Sequence, residues 1–287
     1  MPIRKILLPL NATASEAALG AALLIAGLWR AHVFALHVRV DSRDVAPLAG
    51  EGLSGAMIEE MMSATEREAG ERARQIHAVF DRFVAEHGVK VSEPRPGSQE
   101  ASAHFATVIG REEELVAQQA RLADLTVVPS PRDDGDGSSS DVLHAVLFDS
   151  GRAVLIAPQT SPATIGRRVA IAWNGTAESA AAVQVALPWL QRAEQVRLLS
   201  AQEYQRSGPA ARDLADYLAL HGINADLATF PPVERDVGAG LLAATRAFGA
   251  DLLVMGAYSH SRLRQLILGG VTRHVLEHAD LPVLMNR

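Results

Sequence analysis

Asp251-Leu-Leu-Val-Met-Gly256-Ala-Tyr-Ser259-His260-Ser261-Arg262-Leu-Arg264-Gln-Leu-Ile-Leu-Gly269-Gly270-Val271-Thr272-Arg273 is an apolar run of strand length that ends on a glycine. It passes through a polar, basic loop and reaches a double glycine at the start of a helix-like segment. A strand, a loop and a glycine-bearing helix start leave backbone N–H groups free, and the positive end of a helix dipole favours an anion there. The stretch therefore points to an α/β fold and to phosphate as the chemistry it could hold.

Working outward, the same alternation fills the second half. Strands are expected near Val169–Trp173, Gln195–Ser200, Asn224–Phe230, Leu252–Met255 and Pro282–Met285. Helices are expected near Ala177–Gln191, Pro209–His221, Val237–Phe248 and Val271–His278. The first half reads as strands at Ile3–Leu10, His32–Val40, Ala103–Ile109, Leu125–Pro129 and Ala153–Ala157. Its helices start from a Thr13/Glu16 capping box, then run over Met57–His87 to a stop at Gly88, over Glu112–Leu122 and near Val142–Phe148. Alternation of this kind predicts open parallel sheets, five strands each, with helices on both faces. The pattern does not reveal the strand order.

The halves repeat. Arg4-Lys-Ile-Leu-Leu-Pro-Leu-Asn11 matches Arg167-Arg-Val-Ala-Ile-Ala-Trp-Asn174 at an offset of 163, and Leu122-Ala-Asp124 matches Gly249-Ala-Asp251 at 127. Between the two anchors lie 113 residues in the first copy and 77 in the second, so the first carries about 36 more. A period this long means duplicated domains. They are placed at 1–158 and 166–287, joined by a linker at 158–166.

Composition narrows the function. Across 287 residues, 48% apolar and 21% charged usage is that of globular domains. No apolar run reaches the roughly 18 residues that span a bilayer. The start, Met1-Pro-Ile-Arg-Lys, lacks the pattern of a signal peptide, and there are no cysteines, which suits a cytoplasmic address. A net charge of −6 argues against general nucleic-acid binding.

The chain resembles a tandem universal stress protein over nearly its whole length. The family pattern near the fourth strand is Gly-x2-Gly-x9-Gly-Ser/Thr; here it reads Gly256-x2-Ser259-x9-Gly269-Gly270, with Thr272 two places on. Asn11 and Asn174 stand where the family carries aspartate at the end of the first strand. The resemblance implies an adenine-nucleotide-hydrolase-like, flavodoxin-related three-layer sandwich. It implies ATP, with or without Mg, across the ends of the first and fourth strands of the second domain, bound by a stress-response regulator with little or no turnover. The residues it implies as contacts are Ala172, Asn174, Ser200, Gly256, Ser259, His260, Ser261, Arg262, Gly269, Gly270, Val271 and Thr272. No catalytic residue or metal ligand is expected, because Asn174 cannot take up a proton at neutral pH and no Walker loop is present.

Plainer roles compete for the same residues. Gly269–Gly270 can serve a tight loop, Asn174 can be a turn residue beside a Thr176 cap, and Arg262, Arg264 and Arg273 can form a solvated face. A non-nucleotide interaction module is the alternative function. The first copy has Pro129 in place of Gly256 and an acidic loop at Asp133, Asp134 and Asp136, so no nucleotide is expected there. Gly238-Ala-Gly240 fits a dinucleotide fingerprint but falls inside an amphipathic helix. Met57, Met61 and Met62 read as a core stripe, and His274 and His278 as packing or dipole-complementing residues on one helix face. The closing strands at Ala153–Ala157 and Pro282–Met285 are edge strands that need cover. Pairing them within the chain would make an internal pseudo-dimer, with other surfaces left for any homodimer.

Overall fold

The computed structural model describes residues 2–11, 16–39, 55–131, 138–201, 208–257 and 270–287. In the first half, β1 (Lys5–Pro9), α1 (Glu16–Trp29), β2 (His32–Arg39) and the long α2 (Gly55–Glu86) lead to β3 (Lys90–Val91) and β4 (Ser102–Ile109). There follow α3 (Glu112–Ala120), β5 (Leu125–Val128), α4 (Ser138–Ala145) with a π-turn at Val146–Ser150, and β6 (Val154–Ile156). The second half runs β7 (Arg168–Ala172), α5 (Ala177–Leu190), β8 (Gln195–Ala201), α6 (Ala211–Leu220), β9 (Ala225–Phe230), α7 (Val237–Phe248), β10 (Leu252–Gly256), α8 (Gly270–His278) and β11 (Val283–Asn286).

The two sheets expected separately are one. Eleven strands run in the order β3-β4-β2-β1-β5-β6-β11-β10-β7-β8-β9. Neighbours are parallel except at the centre, where β6 and β11 pair antiparallel, with Leu284 opposite Leu155. The closing strands thus cover each other inside the chain, as their edge character required. Each half follows the same internal order outward from this seam, and β3 adds a sixth strand to the first half.

Helices cover both faces. Buried residues of α1, α2, α5 and α6, such as Leu19, Phe80, Ala186 and Leu218, join Ile6, Leu8, Val169 and Ile171 in one core. Those of α3, α4, α7 and α8, such as Val116, Leu143, Leu242 and Val275, join Leu7, Ala170 and Met285 in the other. Strand residues alternate between faces, so a strand buried on both sides must be apolar throughout. That is why β1 and β10 read as continuous apolar runs. Trp29 of α1 and Trp189 of α5 meet edge-to-face at 5.5 Å and tie the halves on one face. The linker is held too: Ile165 is buried, and a Cβ on Gly166 would stand 2.6 Å from the Trp189 ring.

The repeated Ala-Asp-Leu has a structural duty in both copies. Asp124 accepts hydrogen bonds from the N–H groups of Arg4 and Lys5 at 2.8 and 2.9 Å. Asp251 does the same for Arg168 and Arg167, at 2.8 and 3.2 Å. Each carboxylate thereby anchors the entry of its half's first strand.

One expectation is revised. Met57 is 53% exposed and Met61 and Met62 are half-buried, so they do not line the core. Among the described residues, the helix they start reaches the core through Ile76, Phe80 and Val84 in its last three turns. Gly88 ends it in the left-handed conformation at φ +62°. The Thr13 half of the expected capping box lies outside the described residues. β3, two exposed residues, was not foreseen.

Candidate functional site

In an open parallel sheet, ligands sit beyond the carboxyl ends of strands where the strand order reverses. In the second half that point lies between β7 and β10, which pair in parallel with Met255 opposite Ala172. The loop after β7 therefore stands beside the end of β10. Asn174, Ala172 and Gly256 are brought together there, and half-buried Ser200 lies on the next strand, near the Trp173 N–H bonded to Leu199.

The loop after β7 is built by local hydrogen bonds. Asn174 Oδ1 accepts from the Thr176 N–H at 3.2 Å and from its hydroxyl at 2.9 Å. Thr176 in turn caps α5, its Oγ1 accepting from the Ser179 N–H. Since the N–H donor fixes which end of the amide is oxygen, the Asn174 Nδ2 group is the end left for a ligand. Gly175 lies at φ +78°, and Gly208 crosses so near that a Cβ there would stand inside the Gly175 carbonyl. Trp173 Nε1 donates to the Pro209 carbonyl at 2.9 Å and fastens this crossing. Trp173, Gly175, Gly208 and Pro209 were not singled out from sequence. The Asn-Gly pair and Gly-Pro pair are turn signals that could have marked them.

Gly256 has a packing duty in the fold. It does not turn the chain: it is the last residue of β10 and has no left-handed φ. A Cβ there would stand 2.6 Å from Glu178 C and Ser179 N, in the first turn of α5. The missing side chain lets that helix start lie against the strand.

The far side of the crevice belongs to α8. Its carboxyl end leads to the amino end of β11, so its amino end faces the same side as the ends of β7 and β10. Gly270 is exposed, and among the described residues nothing lies within 4 Å of where its Cβ would be. Val271 is half-buried and Thr272 buried, which turns the Thr272 side chain toward the core. Ser259, His260, Ser261, Arg262, Arg264 and Gly269 lie outside the described residues. Arg273 is committed to Glu277 at 2.6 Å.

Helix α8 is fixed to α7 by His274, whose Nδ1 lies 2.7 Å from Asp236 Oδ2. Asp236 caps α7 through the N–H groups of Gly238 and Ala239 at 2.7 and 3.2 Å. Desolvation works against the Asp236 charge, but those N–H groups and His274 outweigh it and hold the carboxyl below its ordinary range. Gly238 and Gly240 are packing glycines inside α7, closed off by His274 and the Pro231 carbonyl. His278 stacks on His274 at 4.2 Å. Among the described residues, no three His, Asp or Glu side chains gather to hold a metal ion.

In the first half, Pro129 and buried Ser130 follow β5 where Gly256 ends β10. The loop aspartates Asp133, Asp134 and Asp136 lie outside the described residues. Val142 and Leu143, opposite the double glycine in sequence, are core residues of α4.

The architecture is a doubly wound α/β sheet built twice about a central antiparallel pair. Residues 232–287, which carry α7, β10, α8 and β11, match the universal stress protein family. Universal stress protein Slr1230 of Synechocystis is 51% identical over 37 residues, 13% of this chain and 13% of that protein's length. The crystal structure of a universal stress protein from Archaeoglobus fulgidus aligns over 98% of both chains, with a TM-score of 0.67 and 14% identity. A protein of unknown function from Pseudomonas aeruginosa PAO1 aligns over 99% of this chain and 92% of its own, with a TM-score of 0.57 and 16% identity. The family match is confined to the C-terminal segment, and the likeness of fold extends over the whole chain. Among the described residues no helix is long and apolar enough to cross a membrane.

Proposed function

We propose that the chain binds one adenine nucleotide, ATP foremost, beyond the carboxyl ends of β7 and β10, and acts as a stress-response regulator with little or no turnover. The observation that carries this reading is the adjacency of β7 and β10 at the reversal of strand order. It sets the Asn174 loop beside the segment of family-like glycine spacing. Gly270 opens α8 on the same side and is exposed, and free N–H groups at such a helix start favour an anion. Asn174 would serve the ribose through Nδ2, since its oxygen is held by Thr176. The groups at the end of β7 are an amide and hydroxyls, so a Mg ion there would be held chiefly by the nucleotide's own phosphates.

Titration calorimetry with ATP should give a stoichiometry near one, and Gly270→Val should abolish the heat. Two sites per chain, or unchanged affinity in that variant, would refute the reading. Phosphate release should stay far below the enzyme range of about 1 s⁻¹.

A second reading, a protein-interaction module without nucleotide, is favoured by one observation. Gly256 is filled by α5 and the Asn174 oxygen is already bonded, so two expected contributors are committed to the protein itself. Absence of ATP binding in the unmodified chain would favour it.

A further inference from the structure

The amino edge of the first half carries chemistry that the nucleotide crevice does not use. Between β3 and β4 the chain folds back on itself and leaves an open pocket of about 220 Å³. Lys90, Ser92, Arg95, Ser98, Glu100 and Ser102 line it. All are exposed or half-buried except Ser102, which is buried at the pocket's inner end.

Behind Ser102 runs a chain of hydrogen bonds. Ser102 Oγ lies 2.8 Å from His32 Nδ1, and His32 Nε2 lies 2.7 Å from His104 Nδ1. His104 Nε2 faces Glu93 Oε2 at 3.8 Å. The His104 ring stacks on Phe34 at 4.7 Å and lies within 22° of the His32 plane, as an in-plane bond between the two rings requires. Such a chain must run in one of two directions, because each contact needs one donor and one acceptor. If Ser102 donates to His32, then His32 donates from Nε2 to His104, and His104 points its remaining N–H at Glu93. All groups are then neutral apart from the carboxylate, and the Ser102 proton is turned away from the pocket.

In the reverse direction His104 donates from Nδ1 to His32, and His32 donates from Nδ1 to Ser102. The Ser102 hydroxyl is then free to donate into the pocket. The Glu93 carboxylate, 3.8 Å from His104 Nε2, favours a second proton on that ring, and the proposal below places it there. The reverse state therefore holds one more proton than the first, located on His104.

We propose that this pocket binds a small oxyanion, a carboxylate or a phosphate, and takes up one proton per anion through the Ser102–His32–His104 chain. Lys90 and Arg95 supply the attraction, Glu100 limits it, and Ser102 supplies the directed hydrogen bond. The proton comes from solvent and rests on His104; His32 keeps a single proton, which moves from Nε2 to Nδ1. Burial, then His104 and Lys5, hold His32 down to about 4, so it stays neutral as a relay. Burial lowers His104 as well, Glu93 opposes that, and Lys5 adds to it. Lys5 lies over the Phe34 ring at 5.4 Å.

The test is calorimetric titration of the full chain with sodium acetate and, separately, inorganic phosphate, in buffers of different ionisation enthalpy. Histidine ring shifts are followed by NMR. The expected result is saturable binding of at least one anion, with about one proton taken up and affinity falling about tenfold per pH unit above the His104 titration. The acetate and phosphate arms decide which oxyanion fits. Lys90→Ala with Arg95→Ala, both exposed, should weaken binding at least tenfold. Ser102→Ala and His104→Phe should each abolish proton uptake. The proposal falls if neither anion binds, if binding survives loss of Lys90 and Arg95, or if uptake persists without His104.

Discussion

Replacing Gly256 by alanine separates the two duties a glycine can have at this point. The added Cβ would stand 2.6 Å from two backbone atoms of α5, Glu178 C and Ser179 N, and 2.9 Å from the Glu178 carbonyl oxygen. Comfortable contact between carbon atoms needs about 3.5–4.0 Å, so the helix start must move by about 1 Å. It cannot do so cheaply, because Thr176 caps it and Asn174 holds Thr176. Overpacking of this kind costs about 1–3 kcal/mol, and an obstruction made of backbone belongs at the upper end. Stiffening of the unfolded chain by alanine returns about 0.4–1 kcal/mol. The net loss is about 2 kcal/mol, or a fall in Tm of roughly 3 °C in a chain of this size. Urea unfolding followed by circular dichroism would measure it, with Gly270→Ala as the control, since no described residue lies within 4 Å of that Cβ position. An unchanged midpoint and Tm in Gly256→Ala would refute the packing role and return Gly256 to the ligand.

Two other outcomes follow from the hydrogen bonds and the histidines. Asp124→Ala and Asp251→Ala should each cost about 1–2 kcal/mol, because each leaves two strand-entry N–H groups without their charged acceptor; urea midpoints unchanged in both would oppose the anchoring role. Stability should fall as pH drops from about 6.5 toward 4, since unfolded histidine takes up a proton in that window while His32, held at about 4 by burial, His104 and Lys5, does not. Burial lowers His37, His104 and His144 too, so they act with the same sign. The His32 share is on the order of 2 kcal/mol once solvent screening is allowed for. In His32→Gln the slope of stability against pH should shrink; an unchanged slope would exclude His32 as its source.

Much of this architecture was legible because burial on two faces leaves no room for polar residues. β1, β7, β10 and β11 lie inside the sheet, flanked by strands on both sides, and all four announce themselves as apolar runs. α7 matches its expected span, Val237–Phe248, because its apolar period runs uninterrupted across two glycines that pack against neighbours. β3 was invisible because two exposed residues, Lys90 and Val91, carry no period. The methionines of α2 misled because a helical stripe shows which residues share a face and not whether anything covers that face. In the candidate site, the strand ends and the turn at Asn174 could be read, but the purpose of Gly256 could not. Absence of a side chain is compatible with a ligand, a turn or a helix pressed against the strand, and only the structure shows α5 pressed there. The Ser102–His104 alternation on one strand face was readable. Its partner His32 lies 70 residues away in the chain, and only the pairing of β2 with β4 joins them.

The duplication also shows which residues the fold demands and which it leaves free. Asp124 and Asp251 serve the same strand-entry contact, so that feature persists in both copies. One turn of the sheet away, the copies part. Phe34 lies opposite His104 in the first half, while the corresponding pair in the second is Arg197 and Asp226, an ion pair at 3.4 Å. Gln195 takes the place next to Arg168 that His32 takes next to Lys5. The sheet accepts either set, so the histidine line is not a requirement of the architecture. At the carboxyl ends the divergence runs the other way, with Pro129 in the first half and Gly256 in the second. The seam of β6 with β11, and Trp29 on Trp189, hold the halves in one body. With stability supplied jointly, each half is free to specialise at a different end of its strands.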